Sequence, residues 1–474
     1  MKSRETAQRT LILGGGLSGD ATLRYLQQRD DLVVVDTRLD VAEQLAKQYP
    51  EVRVRQISEP ASLTELLLRP ERGFDRAVVS PGLSDEHPLV RALLDAAIPI
   101  TTDIDLFCTA VQVPVIGCTG TNGKSTVTAL IEELLKGQGV RALAGGNLGP
   151  AALDLLRQDP DVAVLELSSF QLQRAGPLPL GIALFLNLAD DHVDYHGSYA
   201  AYQRAKLRIF EAASCRVWNR DDPATQGPLQ ADGVMSFGLG SLANDEQGAG
   251  IDRSPDGTER LIVRCGERLL PLLPVRLLGL PGRHNLANAL AAVTACVVQL
   301  ERLGRALDEH ALNDTLRAFR GLPHRCEPVG EVDGVRFVND SKATNVAAAI
   351  AAVRGIKPSV EGQLVLLLGG QAKGADLAPL AAELVGVVDL AVVYGEDRDA
   401  FCRALRGRVP IVECDAAADA FDQATAVAQP GDLVLLAPAA ASFDEFASYR
   451  ARGEWFRERV QAQSARVLEV RGQQ

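Results

Sequence analysis

Between Val115 and Thr126 the chain reads Val-Ile-Gly-Cys-Thr-Gly-Thr-Asn-Gly-Lys-Ser-Thr, and no other stretch restricts its fold as tightly. The apolar run Val113 to Ile116 predicts a buried strand, and Val127 to Leu135 carries apolar residues at helical spacing. A strand, a glycine-rich turn and a helix opening on Gly123-Lys124-Ser125 make a phosphate cradle. Free backbone N–H groups and the positive helix end face the anion, Lys124 reaches the β/γ-phosphates, and Ser125 can hold Mg²⁺. The usual spacing asks for glycine five residues before Gly123; Cys118 stands there, and glycines fall at 117 and 120. The competing reading is a glycine turn ahead of a surface helix, and the spacing favours a nucleoside triphosphate site.

A chain of 474 residues is too long for one core, so two to four domains are expected. A net charge of −12 argues against a general nucleic-acid binder, so anionic ligands need local basic pockets. The start, Met1 to Arg9, lacks the apolar segment of a signal peptide. The uncharged run Asn285 to Leu300 contains Asn, Thr and Gln and predicts a buried helix rather than a membrane span. The 8 cysteines are scattered with no Cys-x-x-Cys pair, which predicts small buried hydrophobes in a reducing cytoplasm and neither a disulfide frame nor a zinc site.

Near the start, Thr10 to Leu13 predicts a strand, Gly14-Gly15-Gly16-Leu17-Ser18-Gly19 a turn into a helix, and Leu32 to Val35 a second strand ending in Asp36. Taken literally this is a dinucleotide fingerprint with a ribose-binding acid, pointing to NAD. The same geometry serves any diphosphate, and a purely structural turn also fits. Ala77 to Val79 runs into a stiff Ser80-Pro81-Gly82 turn at the carboxyl edge of the same sheet.

After the phosphate loop, Val162 to Glu166 predicts a buried strand ending in a carboxylate, where a second strand beside such a loop supplies a Mg²⁺-binding acid; an acid paired with a core base is the alternative. Ile182 to Leu188 precedes Asp190-Asp191-His192, and His192 alone reads as a cap or core residue as readily as a ligand. Tyr199 to Phe210 predicts a short helix with Tyr202, Lys206 and Phe210 on one face. Residues 238 to 260 read as exposed loop or hairpin, and Asn285 as a helix cap. From Gly321 onward, strands alternate with Ala-rich helices, a second doubly wound α/β arrangement without a phosphate loop. Asp340, Lys373 and Ser442 fall at its strand carboxyl ends, where nucleotides bind in such sheets. A lone lysine there is otherwise a solvated charge.

The loop Gly117 to Thr126 resembles the ATP loop of the Mur ligases and their folylpolyglutamate synthetase relatives, in which the shifted glycines are normal. Asn339 to Asn345, Gly369 to Asp376 and Ala439 to Asp444 look like the D-glutamate-adding branch of that family; the Asp-Asn-Pro run of the diamino-acid-adding branch is absent. The resemblance covers essentially the whole chain. It implies three α/β domains: a Rossmann-like N-terminal domain for a UDP substrate (1–110), a central P-loop ATPase domain (111–320) and a Rossmann-like C-terminal amino-acid domain (321–474). It implies an ATP-dependent amide-forming ligase of cytoplasmic peptidoglycan precursor synthesis, a monomer with no nucleic-acid partner, joining D-glutamate to UDP-N-acetylmuramoyl-L-alanine. It also moves the N-terminal turn from NAD to UDP, which spacing cannot do.

By the same resemblance, Gly120, Thr121, Asn122, Gly123, Lys124, Ser125 and Thr126 bind the phosphates of ATP, with Asn288, Arg325 and Asp340 as further ATP contacts. Two Mg²⁺ ions are implied, one on Ser125 and Glu166, the other on His192 and a carbamylated Lys206. Leu17, Ser18, Asp36, Thr37, Ser80, Gly82 and Asn147 would hold the UDP sugar. Thr344, Lys373, Ser442, Phe443 and Tyr449 would hold the amino acid, and Lys342 would join Lys124 and Arg325 in offsetting the gathered anions. The rival readings are a related Mur ligase or folylpolyglutamate synthetase with another acceptor, a nucleotide-switch protein, and an NAD dehydrogenase.

Because the implied ATP contacts come from both the second and third domains, the third should close by a hinge on ligand binding. Small-angle scattering should show a smaller radius of gyration with an ATP analogue and the UDP substrate present; an unchanged radius counts against closure.

Overall fold

The computed structural model describes residues 8–67, 73–147, 149–189, 193–227, 233–280 and 282–472, and its strands explain the unbroken apolar runs in the sequence. Arg9–Leu13, Val115–Thr119 and Val162–Glu166 are buried at every position, because parallel strands covered by helices on both faces have no solvent side. Residues 1–319 form one compact unit and 320–474 another.

The first unit begins with a five-stranded parallel sheet in the order Arg53–Gln56, Asp31–Asp36, Arg9–Leu13, Arg76–Val79, Ile100–Thr101. The chain reverses its direction of winding beside Arg9–Leu13, which opens a crevice at the carboxyl ends. There the Gly14 N–H donates to the Val35 carbonyl and the Ser80 N–H to the Leu13 carbonyl, each at 2.8 Å. The turn 14–16 leads into the helix Leu17–Leu26. Gly19 lets this helix press onto the turn: a Cβ there would lie 1.8 Å from the Gly14 carbonyl oxygen.

The larger sheet of this unit has nine strands, with Val115–Thr119 between Val162–Glu166 and Ile182–Phe185. Its seven parallel strands are continued by an antiparallel pair, and the stretch read as exposed loop or hairpin contains a hairpin whose first strand is partly buried. Gly248–Arg253 pairs antiparallel with Glu259–Cys265, which pairs with Arg268–Pro274. Residues Gly248 to Ile251 are buried; their glycine-rich composition conceals an inward-facing Ala249 and Ile251. The predicted buried helix is Arg283–Arg302, packed against Lys124–Gly137. Its N-cap is Gly282, not Asn285, which lies inside the first turn.

The two sheets of the first unit share apolar packing. Ile12, Leu23, Val34 and Phe107 belong to the same buried cluster as Val115, Leu165, Phe185 and Phe210. Two arginines add polar ties. Arg24 binds both oxygens of Asp154 at 2.9 and 3.1 Å, and Arg174 binds Asp85 at 2.6 Å and the Leu83 carbonyl at 2.7 Å.

The 320–474 unit holds a six-stranded sheet ordered Glu327–Val332, Val335–Asn339, Leu433–Leu436, Leu364–Gly369, Leu390–Tyr394, Ile411–Glu413. All neighbours are parallel except the first pair, a hairpin that was not expected. Half of its first strand is exposed, and its glutamates, proline and glycine break up any apolar run. The hairpin turn uses Asp333 and Gly334, both at positive φ, the pair that a two-residue hairpin favours.

Replacing Gly19 by Ala should lower the stability of the 1–319 unit by about 2 kcal/mol or more, since a backbone oxygen cannot move aside as a side chain can. Chemical denaturation followed by tryptophan fluorescence measures this; an unchanged midpoint contradicts the contact.

Candidate active site

The phosphate loop leaves the central strand at Thr119 and enters the helix Lys124–Gly137 through Gly123, whose φ of +81° is left-handed. Only glycine suits this position twice over: a Cβ would meet Asn288 Oδ1 at 2.4 Å. Asn288 thus lies directly under the loop, with its amide nitrogen 3.2 Å from Asn285 Oδ1. Asn187, just past the neighbouring strand, braces the loop from the other side. Its side-chain oxygen accepts from the Asn122 N–H at 2.8 Å, and its amide donates to the Asn122 carbonyl at 3.0 Å. The Thr121 hydroxyl lies 3.1 Å from the Tyr202 hydroxyl. Lys124 folds over the loop and donates to the Gly120 and Thr121 carbonyls at 2.9 and 2.8 Å.

Beneath the loop, Ser125 and Glu166 come together as expected. The Ser125 hydroxyl donates to one Glu166 oxygen at 2.6 Å, and the Asn147 amide donates to the other at 2.6 Å. The carboxylate is 2% exposed, and among the described residues its hydrogen-bond partners are a hydroxyl and an amide rather than a base. A buried carboxylate oxygen beside a hydroxyl oxygen is the donor chemistry of a hard divalent cation, so these residues fit Mg²⁺. Lys206 also meets the loop. It is 1% exposed, its Nζ donates to the Gly120 carbonyl at 2.7 Å and it lies 4.7 Å from the Tyr202 ring centre. His192 lies outside the described residues. Among the described residues, no group of three or more His, Cys, Asp or Glu gathers as a metal site.

At the crevice of the N-terminal sheet, Leu17, Ser18, Asp36, Thr37, Ser80 and Gly82 cluster on adjoining turns. A Cβ on Gly14 would meet Ser80 Cβ at 2.6 Å, which shows how closely the two turns approach. Leu17 is 87% exposed, an uncommon position for a leucine. Asp36 is buried with both oxygens engaged: the Arg38 Nε and N–H reach Oδ1 at 3.0 and 2.8 Å, the Gly15 N–H reaches Oδ2 at 2.6 Å. Burial alone would raise this carboxyl; the hydrogen bonds from Arg38 and Gly15 outweigh it and hold it below the usual range. Its first role is therefore to shape the turn and present Arg38. Arg174, which sequence reading did not single out, ties the Ser80–Asp85 turn to the helix Ser169–Arg174 just beyond Glu166. Nothing in its local pattern marks it, because its partners are 89 to 94 residues away in the chain.

In the 320–474 unit, Asp340, Lys342, Thr344, Lys373, Ser442, Phe443 and Tyr449 follow the carboxyl ends of three adjacent parallel strands. Lys342 Nζ lies 4.5 Å from the Tyr449 ring centre, and Lys373 Nζ 5.4 Å from that of Phe443, itself 62% exposed. Burial would raise the Tyr449 phenol, yet it is lowered by the Arg450 hydrogen bond and by the charges of Lys342, Arg450 and Arg325. Arg450 lies 5.9 Å from the same ring centre. Ser442 is 2% exposed and its hydroxyl has no hydrogen-bond partner. A buried hydroxyl left unpaired is costly and marks where a polar ligand atom fits. Burial pushes Asp340 up to about 6 despite the Cys326 N–H and thiol beside it.

Comparison with known proteins accords with this arrangement. Residues 118–296 match the Mur ligase middle domain, and residues 324–440 match the Mur ligase, glutamate ligase domain. The chain is similar to the UDP-N-acetylmuramoylalanine–D-glutamate ligase of Nitrosococcus oceani, 40% identical over 469 residues, 96% of this chain and 97% of the relative. It is 44% identical over 382 residues to the enzyme of that name from Aliivibrio fischeri, covering 81% of this chain and 82% of the relative. Among solved structures, the UDP-N-acetylmuramate–alanine ligase of Thermotoga maritima shares the fold, with a TM-score of 0.53 at 18% identity over 96% of this chain and 99% of that one.

The raised Asp340 carboxyl makes a pH prediction. Between its ordinary value of 3.8 and about 6 the folded state holds a proton that the unfolded state releases, so stability falls as pH rises through that window. Asp340→Asn should abolish this decline and stabilise the 320–474 unit at pH 7 by on the order of 3 kcal/mol. Urea denaturation of both proteins at pH 4.5 and 7 checks it; equal slopes with pH would contradict the assignment.

Proposed function

The chain belongs to the Mur ligase family of ATP-dependent amide-bond ligases, and on that premise we propose that it joins D-glutamate to UDP-N-acetylmuramoyl-L-alanine, releasing ADP and phosphate. Likeness to D-glutamate ligases along nearly the whole chain carries this reading. A carboxylate does not condense with an amine in water, because it is a poor electrophile. The alanine carboxylate oxygen attacks the γ-phosphorus of ATP and ADP departs. The glutamate nitrogen then attacks the acyl carbon, loses a proton, and phosphate leaves with the C–O bonding pair.

Each group has a part in this sequence. Lys124 exchanges the loop carbonyls it now holds for phosphate oxygens, and Gly120 to Thr126 offer their N–H groups and hydroxyls. Asn288, beneath the loop, serves with Arg325 and Asp340 as a further ATP contact. Ser125 and Glu166 would hold one Mg²⁺, and His192 with Lys206 as a carbamate a second; when bound, these ions offset phosphate charge. Leu17, Ser18, Asp36, Thr37, Ser80, Gly82 and Asn147 hold the UDP sugar in the 1–110 domain, with Arg38 presented by Asp36. In the 321–474 domain Thr344, Lys373, Ser442, Phe443 and Tyr449 hold the amino acid, Lys373 taking its side-chain carboxylate, and Lys342 adds positive charge. The unpaired Ser442 hydroxyl supports that placement.

Coupled phosphate release with ATP, Mg²⁺ and the UDP substrate should depend on D-glutamate and fall by about 100-fold or more with L-glutamate. Binding of ATP without any glutamate-dependent release would end this reading. Lys124→Ala should lower kcat by about 10³-fold, and Lys206→Ala by about 10²- to 10³-fold with partial recovery on adding short-chain carboxylic acids. Full activity of Lys206→Ala would remove Lys206 from the mechanism.

A further inference from the structure

Among the described residues, the largest fully buried side chain is not an aromatic ring but an arginine. Arg452 lies in the first turn of the helix Tyr449–Gly472 and is 0% exposed. Its hydrogen-bond partners are all neutral. Nε donates to the Ser341 hydroxyl at 3.0 Å, one Nη to the Ser341 and Ala440 carbonyls at 3.1 and 3.0 Å, and the other to the Gly369 carbonyl at 3.4 Å. The Ser341 hydroxyl in turn donates to the Tyr449 carbonyl at 2.8 Å, tying the fork to the start of its own helix. Among the described residues, no carboxylate pairs with this guanidinium.

A buried cation with only neutral hydrogen-bond partners is expensive, and an apolar side chain of the same volume packs as well without that cost. What the guanidinium does that such a side chain cannot is grip several carbonyls in one plane. The three it grips come from different strand ends, and each opens a loop of the acceptor site. Ser341 precedes Lys342 and Thr344, Gly369 leads to Lys373, and Ala440 leads to Ser442 and Phe443. The fit is close: a Cβ on Gly370 would lie 2.2 Å from the Ala441 carbonyl and 3.3 Å from Arg452 itself. Its charge interacts with the Glu445 carboxylate, and in the same helix turn the Tyr449 ring has Lys342 and Arg450 at 4.5 and 5.9 Å from its centre.

We propose that Arg452 is a positioning residue for the acceptor amino acid, its guanidinium locking the three loops in register. This deepens the reading that the 320–474 unit receives D-glutamate, and rests on it. The role predicts an effect on one substrate alone. Loss of general stability lowers the fraction of active enzyme, and kcat with it, without moving a single KM.

The test is steady-state phosphate release by the full chain, varying each substrate in turn, for wild type, Arg452→Lys, Arg452→Met and Ser341→Ala. The KM for D-glutamate should rise about tenfold in Arg452→Lys, which keeps charge but loses the fork, and about 100-fold in Arg452→Met. In Ser341→Ala it should rise about threefold, with the KM values for ATP and the UDP substrate within about twofold throughout. An unchanged D-glutamate KM in folded Arg452→Met, or a parallel rise in all three KM values, overturns the proposal. Should Arg452→Met fail to fold, unchanged D-glutamate KM in both Arg452→Lys and Ser341→Ala overturns it equally. Wild-type enzyme without glutamate-dependent release overturns the parent reading, and this one with it; wild-type turnover with unmoved variants overturns this one alone.

Discussion

The left-handed backbone at Gly123 is the constraint on which the phosphate site depends. It turns the chain from the central strand into a helix within four residues, leaving no room for a side chain above Asn288. Everything else about the loop follows from that tightness. The Asn187 amide can span Asn122 on both its backbone groups, Lys124 can fold back over the loop carbonyls, and Ser125 comes within reach of Glu166 on the next strand. A looser turn would lengthen each contact and scatter charges that phosphoryl transfer needs concentrated.

The same economy appears at the sheet edges. In all three sheets the candidate groups follow strand carboxyl ends, and each cluster has a concealed polar support. Asp36 is spent on holding Arg38 and Gly15, Glu166 is held by Asn147 and Ser125, and the acceptor loops converge on Arg452. These supports fix loops that have few backbone partners of their own, which is how an irregular segment becomes a precise one.

Much of this was legible in the sequence because the signals are local. A glycine pattern, a lysine and a serine at fixed spacing announce the phosphate loop, and unbroken runs such as Leu32 to Val35 announce parallel strands. What escaped is non-local or compositionally disguised. Arg174 acts through partners 89 or more residues distant, and Arg452 joins Ala440, 12 residues away, to Gly369 and Ser341, 83 and 111 residues away, so no short window contains their meaning. The edge strand Glu327–Val332 is polar because one of its faces meets water, and Gly248–Arg253 is glycine-rich because its neighbour's backbone passes close by. Asn285 looked like a helix cap because Asn is good at capping, but Gly282 at φ +98° starts the helix earlier. The dinucleotide fingerprint was real as geometry and silent as to the nucleotide.

The apolar cluster shared by the two sheets of the first unit has a consequence for biosynthesis. Ile12, Leu23 and Val34 find part of their cover on Leu165, Phe185 and Phe210. While the ribosome has made only the first hundred or so residues, that face has nothing to lie against. Part of the amino-terminal sheet's cover is missing until roughly twice that length has emerged, so the stage of synthesis most exposed to aggregation comes early rather than late.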